Sequence, residues 1–110
     1  MSLSGVVEGA RHIAQQITWN ERDSFNVLSS VDLSGSTITA KKRDSEGTIT
    51  AVDGSLNFED TGSDGIFNWT YGVNDVATPG TFEIQFIATF GDSTKDKTLI
   101  EKWIVYEALD

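Results

Sequence analysis

The stretch GTFEIQFIATFGD, residues 80–92, places Phe82, Ile84, Phe86, Ala88 and Phe90 at every second position. Side chains two apart on an extended chain leave by the same face, whereas a helix returns to one face after three or four residues. Five apolar groups at period two therefore call for a strand buried on one side. The alternate row, Thr81, Glu83, Gln85, Ile87 and Thr89, is mostly polar and suits water. One apolar and one wet face mark an antiparallel sheet, since strands of parallel sheets are buried on both faces.

The same alternation recurs in GIFNWTYG, where Phe67, Trp69 and Tyr71 share a face. Further strands are expected over 36–42, 48–52, 55–59 and 98–107, rich in β-branched and aromatic residues. Turn-forming stretches separate them: RDSEG, with Gly47 suited to positive φ, then VDG, DTGSDG, NDVATPG and GDSTKDK. Short strands at this regular spacing argue for an all-β sandwich or barrel. Phe67, Trp69, Phe82, Ile84, Phe86, Phe90, Ile38 and Ala40 are the expected core. The last strand, TLIEKWIVYE, carries large apolar groups on both parities, which a bulge, a second covering layer or a subunit contact would explain. ITWN and SFNVL read as a first strand broken by the polar NERD. ARHIAQQI has the spacing of a short helix or a strand, within an arm over residues 1–16 ahead of one domain over 17–110.

Charge limits the partners. Seventeen acidic residues against eight basic ones give a formal charge of −9. Such a surface repels phosphate backbones and anionic membranes, so no nucleic-acid and no membrane partner is expected. No apolar run approaches the length of a spanning helix. MSLSGVVEGARHIAQQ lacks the basic and apolar regions of a signal peptide, so export by that route is not expected. The chain has no cysteine, and its one histidine, His12, cannot build a zinc site alone.

Catalytic constellations are not legible. DTGSDG offers Asp60, Asp64 and Gly65 at positions 1, 5 and 6 of a calcium loop, but Gly62 and Tyr71 occupy positions 3 and 12. It reads as a tight acidic turn. Glu83 and Glu101 fall on neighbouring strands, on parities that look solvent-facing, without the apolar pocket a glycosidase acid needs. No G-x-S-x-G elbow is present, and no Gly-rich phosphate loop precedes a helix. NWT at 68–70 matches the glycosylation pattern inside an expected strand. No catalytic, cofactor or metal residue is assigned. Trp19, Trp103 and Tyr106 are the candidates for partner or glycan contact, because exposed aromatics stack on sugars and anchor protein interfaces.

The order DLSGSTITAKKRDSEGT followed by GIFNWTYGVNDVATPGTFEIQFIATFGD resembles the immunoglobulin-like N-terminal domain of phage baseplate upper proteins. Asp32, Leu33, Ser34, Gly35, Gly47, Gly65, Trp69, Thr70, Pro79, Gly80, Thr81 and Phe82 occupy the family's motif positions. Glu46 stands where the family often has Asp, and Phe82 where Tyr is common. The resemblance implies an antiparallel immunoglobulin-like β-sandwich of about seven strands. It also implies a non-catalytic module of a phage or prophage tail, located in the virion or in the host cytoplasm during assembly. Its partners would be other virion proteins or further copies of itself, met through the N-terminal arm and the last strand. A surface-adhesion or carbohydrate-binding module is the alternative.

Overall fold

The computed structural model describes residues 3–11, 14–22, 24–98 and 100–109. It is an all-β sandwich. The strands are β1 (Val6–Val7), β2 (Gln15–Thr18), β3 (Asn20–Arg22), β4 (Leu28–Ser30), β5 (Thr37–Arg43), β6 (Ile49–Ala51), β7 (Ser55–Phe58), β8 (Ile66–Thr70), β9 (Gly80–Thr89), β10 (Lys95–Lys97) and β11 (Glu101–Tyr106). One layer runs β1-β11-β9-β5-β6, with β10 also on β9; the other runs β2-β8-β7. The chain crosses between the layers, with β2, β7 and β8 in the smaller and β1, β5, β6 and β9–β11 in the larger, an immunoglobulin-like arrangement. A single 3-10 turn, Val73–Asp75, follows β8.

The wall from β9 faces inward. Phe82, Ile84, Phe86 and Ala88 are buried with Ile38 and Ala40 of β5 and Phe67 and Trp69 of β8. Rings from the two layers meet: Phe67 stands edge-on to Phe86 at 5.2 Å, and Trp69 lies 4.6 Å from Trp103. Each large side chain so buried contributes roughly 1.5–3 kcal/mol relative to exposure. Phe90 is only half-buried, packing on the rim of the core. It lies just past β9, in the turn where its N–H donates to the Thr94 carbonyl.

A bulge precedes the last strand, and within β11 Trp103 and Val105 face inward while Ile104 and Tyr106 keep the outward row. Lys97 stands opposite Ile87 and Glu101 opposite Ile84, so three residues face two on β9. This is a bulge, and it reverses which parity points inward. Lys95 and Lys97 point outward before it, and Lys102 and Ile104 after it. Thr98 pins the step: its Oγ1 accepts from Phe86 N at 3.0 Å, and its carbonyl accepts from Gln85 Nε2 at 3.0 Å.

The N-terminal arm joins the sandwich. β1 pairs with β11 in parallel, Val6 opposite Val105 and Val7 opposite Tyr106, which among the described residues is the one departure from antiparallel pairing. Ser4 N donates to Gln15 Oε1 at 2.7 Å, and Gln15 Nε2 donates to the Ser4 carbonyl at 3.2 Å. The 16/17 boundary thus falls inside β2. His12 and Ile13, within the stretch considered for a short helix, lie outside the described residues. NERD does not break a strand: Asn20–Arg22 is β3, paired with β4 in a separate hairpin. SFN supplies the turn instead, with Asn26 at φ 62.

Turn chemistry explains the motif residues. Asp32 Oδ1 accepts from the Ser34 backbone N–H at 3.0 Å and its hydroxyl at 2.6 Å, fixing the lead-in to β5. Between β5 and β6, Gly47 has φ 88, and Asp44 Oδ1 accepts from Glu46 N and Thr48 N.

Candidate functional site

The most elaborate polar arrangement inside the protein centres on Asp75, which is 1% exposed. Its Oδ1 accepts from Asp53 N at 2.7 Å. Its Oδ2 accepts from Gly54 N and Gly72 N, both at 2.8 Å, and from Trp69 Nε1 at 3.3 Å. Asp53 answers by accepting from Asn74 N at 3.2 Å. The carboxylate thereby ties the β6–β7 turn to the β8–β9 loop and orients an indole in the core. Its acceptor capacity is spent on three backbone N–H groups and one core indole, which is the arrangement of a structural clamp. Among the described residues no buried side-chain polar atom lacks a partner, and no three His, Cys, Asp or Glu groups converge.

The aromatic candidates divide. Trp19 and Trp103 are each 1% exposed, so neither presents a ring face to a sugar or a partner. Trp19 Nε1 donates to Glu21 Oε1 at 3.2 Å, and Trp103 Nε1 donates to the Ser4 carbonyl at 3.1 Å. Trp103 also stacks on Tyr71 at 5.7 Å. Both indoles are core residues because inward parity and a nearby acceptor satisfy them. Tyr106 is 54% exposed, on the outward parity of β11. The arm and the last strand, expected as open contact surfaces, pair with each other at Val105 and Tyr106.

Glu83 and Glu101 do not share a face. Glu83 stands opposite Lys102 and Arg43, whereas Glu101 stands opposite the buried Ile84. Glu83 binds Arg43 at 2.9 Å; that hydrogen bond lowers its carboxyl pKa and raises that of the guanidinium. In DTGSDG, Asp64 accepts from Ile66 N at 3.1 Å, as a turn aspartate does. Asn68 lies in β8 with its amide donating to Glu59.

The outer face of the larger sheet has a composition unlike the rest of the surface. Lys41 and Arg43 of β5, Lys95 and Lys97 of β10 and Lys102 of β11 share its outward parity. That is five of the chain's eight basic residues. Glu83 is the one acidic strand residue among them, for Asp96 and Glu101 take the inward parity. Ile49, Ile87 and Ile100 lie between the cations, lining one open concavity with Lys41, Lys97 and Gln85. Ile49 and Ile100 are well exposed. Net charge alone does not show this segregation. The signal was present in KKR and KDK, where parity sends Lys41, Arg43, Lys95 and Lys97 to one side and Lys42 to the other. Lys42 instead lies 4.9 Å over the Phe82 ring and donates to the Asn74 carbonyl.

No family model matches the chain, and no curated protein matches it.

Proposed function

We propose that this protein is a non-catalytic structural module of a phage or prophage tail or baseplate, acting through protein–protein contacts. The observation that carries the reading is the filled interior. Aromatic rings from both layers close the space between the sheets, and the buried carboxylate is consumed as a clamp. Catalytic sites combine a concave apolar pocket with convergent, perturbed polar groups. Here the polar groups that converge in the interior bind backbone and one core indole. What the fold offers a partner is its surface, above all the exposed face of the larger sheet.

The tail or baseplate context comes from the resemblance over residues 32–48 and 65–92, and the immunoglobulin-like fold agrees with it. The glycan alternative loses two of its three aromatic candidates to the core. Fractionation of tail particles from the source bacterium, with quantitative mass spectrometry of this chain, tests the reading. It should co-purify in fixed proportion to tail proteins. Recovery only as free protein or with the cell surface would reject it.

A further inference from the structure

We propose that the outer face of the larger sheet docks an extended partner segment whose sheet-facing row, every second residue, combines acidic and aliphatic side chains. This rests on the reading that the protein works by protein contact and names the chemistry of that contact. Three features on that face select the occupant. The first is charge: Lys41, Lys95, Lys97 and Lys102 stand on one side of a molecule of net charge −9, and Glu83 is already engaged with Arg43. No ion pair among the described residues holds Lys41, Lys95 or Lys97, so their charge is available.

The second is spacing. Lys41 and Arg43 are two residues apart on β5, as Lys95 and Lys97 are on β10, with outward side chains. Residues two apart on a strand are separated by about 6.5–7 Å. Carboxylates at alternate positions of an extended segment have the same repeat, so each can meet one cation without distortion. The third is apolar content. Ile87 sits between Thr39 and Lys97 across the sheet, with Ile49 and Ile100 nearby. Isoleucines between cations suit aliphatic side chains in the same sheet-facing row as the carboxylates and offer nothing to a phosphate. Tyr106 shares the outward row of β11 but lies outside the concavity, and among the described residues no aromatic side chain lines that concavity with the cations, where single-stranded nucleic acid would stack its bases. The remainder of the surface repels a long polyanion, whereas a short segment with a few carboxylates meets the favourable patch alone.

The test is a titration of the isotope-labelled full chain with a short extended peptide carrying Glu, Glu and Leu at every second position with Ser between, followed by amide NMR. Matched peptides with Gln or Lys in place of Glu, and a short oligouridine, serve as comparisons. Shifts should cluster at Lys41, Gln85, Ile87 and Lys97, and affinity should fall as salt rises. The K41E/K97E double variant should bind about tenfold more weakly, a loss near 1.4 kcal/mol, with an unchanged melting temperature. An Asp60→Lys variant, altered in a loop elsewhere, should bind as the parent does. Equal binding of the Gln peptide, tighter binding of the Lys peptide or of oligouridine, shifts on another surface, or no binding at millimolar peptide would each overturn the proposal. Self-association through this face, seen as shifts on dilution without peptide, would also overturn it. Particle fractionation is scored separately. A chain present in particles that ignores the acidic peptide refutes this proposal alone. A chain that binds the peptide but is absent from particles refutes the assembly reading alone.

Discussion

Replacing Asp75 by Asn keeps the shape of the side chain and changes only its hydrogen-bonding capacity, so the clamp can be weighed directly. The carboxylate accepts from four N–H groups, three on Oδ2 and one on Oδ1. An amide oxygen placed at the Oδ2 position keeps three donors, now without charge assistance, and turns an NH2 group towards Asp53 N–H. One bond to a charged acceptor is lost, worth about 1.5–3 kcal/mol, and a buried donor is left facing another donor. Charge-assisted bonds are roughly twice as strong as neutral ones, so the other three weaken as well. Asp75→Asn should therefore cost about 3 kcal/mol, a large part of the ~5–15 kcal/mol that keeps a domain folded. At about 4 °C per kcal/mol for a chain of this size, the melting temperature should drop by about 12 °C. Urea unfolding followed by circular dichroism, with calorimetry, measures both quantities. Asp92→Asn, on an exposed turn, is the control. A loss below about 1 kcal/mol for Asp75→Asn, with amide exchange at Gly54 and Gly72 unchanged, would refute the clamp.

Further perturbations probe other parts of the account. Gly54→Ala would drive a Cβ into the Thr70 carbonyl and to 2.7 Å from Gly72 N, both backbone; thermal melting should show a loss of about 2 kcal/mol or more. Trp103→Ala should cost about 3–5 kcal/mol in the same assay, and a glycan array should read alike for parent and variant; a sugar bound only by the parent would favour the carbohydrate-binding alternative. Burial, then the hydrogen bond that the protonated Glu21 carboxyl donates to Asp96, raises Glu21 above its ordinary pKa. A raised carboxyl favours the fold while protonated, so its contribution is present at acidic pH and fades as pH rises through the folded-state pKa; Asp96→Asn should move the Glu21 carbon-13 titration downwards. Asp32 is shifted the other way by the Ser34 hydroxyl and then its backbone N–H. Its contribution is present above the ordinary aspartate pKa of about 4 and is lost as pH falls through the lower folded value, and Ser34→Ala should raise that value in the same NMR titration.

Much of the architecture was legible because strand periodicity is a local signal. Phe82, Ile84, Phe86 and Ala88 point inward as their spacing requires, whereas the second apolar parity of residues 98–107 stays outward at Ile104 and Tyr106. What the sequence hides depends on distant partners. Val6 and Val7 find β11 from the other end of the chain, and nothing near them in the sequence specifies a parallel pairing. Asp75 looks like one more turn aspartate until Asp53, Gly54 and Trp69 are brought to it. The bulge itself misled the reading of Glu101, since one extra residue sends it to the opposite parity from Glu83. Trp19 and Trp103 could be assigned to surface or core only once the Glu21 and Ser4 acceptors were placed beside their indoles. The cationic face needed both strand parity and sheet order, because β5 and β10 are far apart in sequence and flank β9.

We propose an interior that is only scaffold and an outer face of the larger sheet that makes the working contact. Lysine-directed cross-linking of tail particles, read by mass spectrometry, addresses this most directly. Lys41, Lys95 and Lys97 should be protected from mono-labelling relative to the free chain, and should link to lysines flanking an acidic segment of a neighbouring protein. Equal labelling of the three in particles and free chain, with links arising from other surfaces, would contradict it.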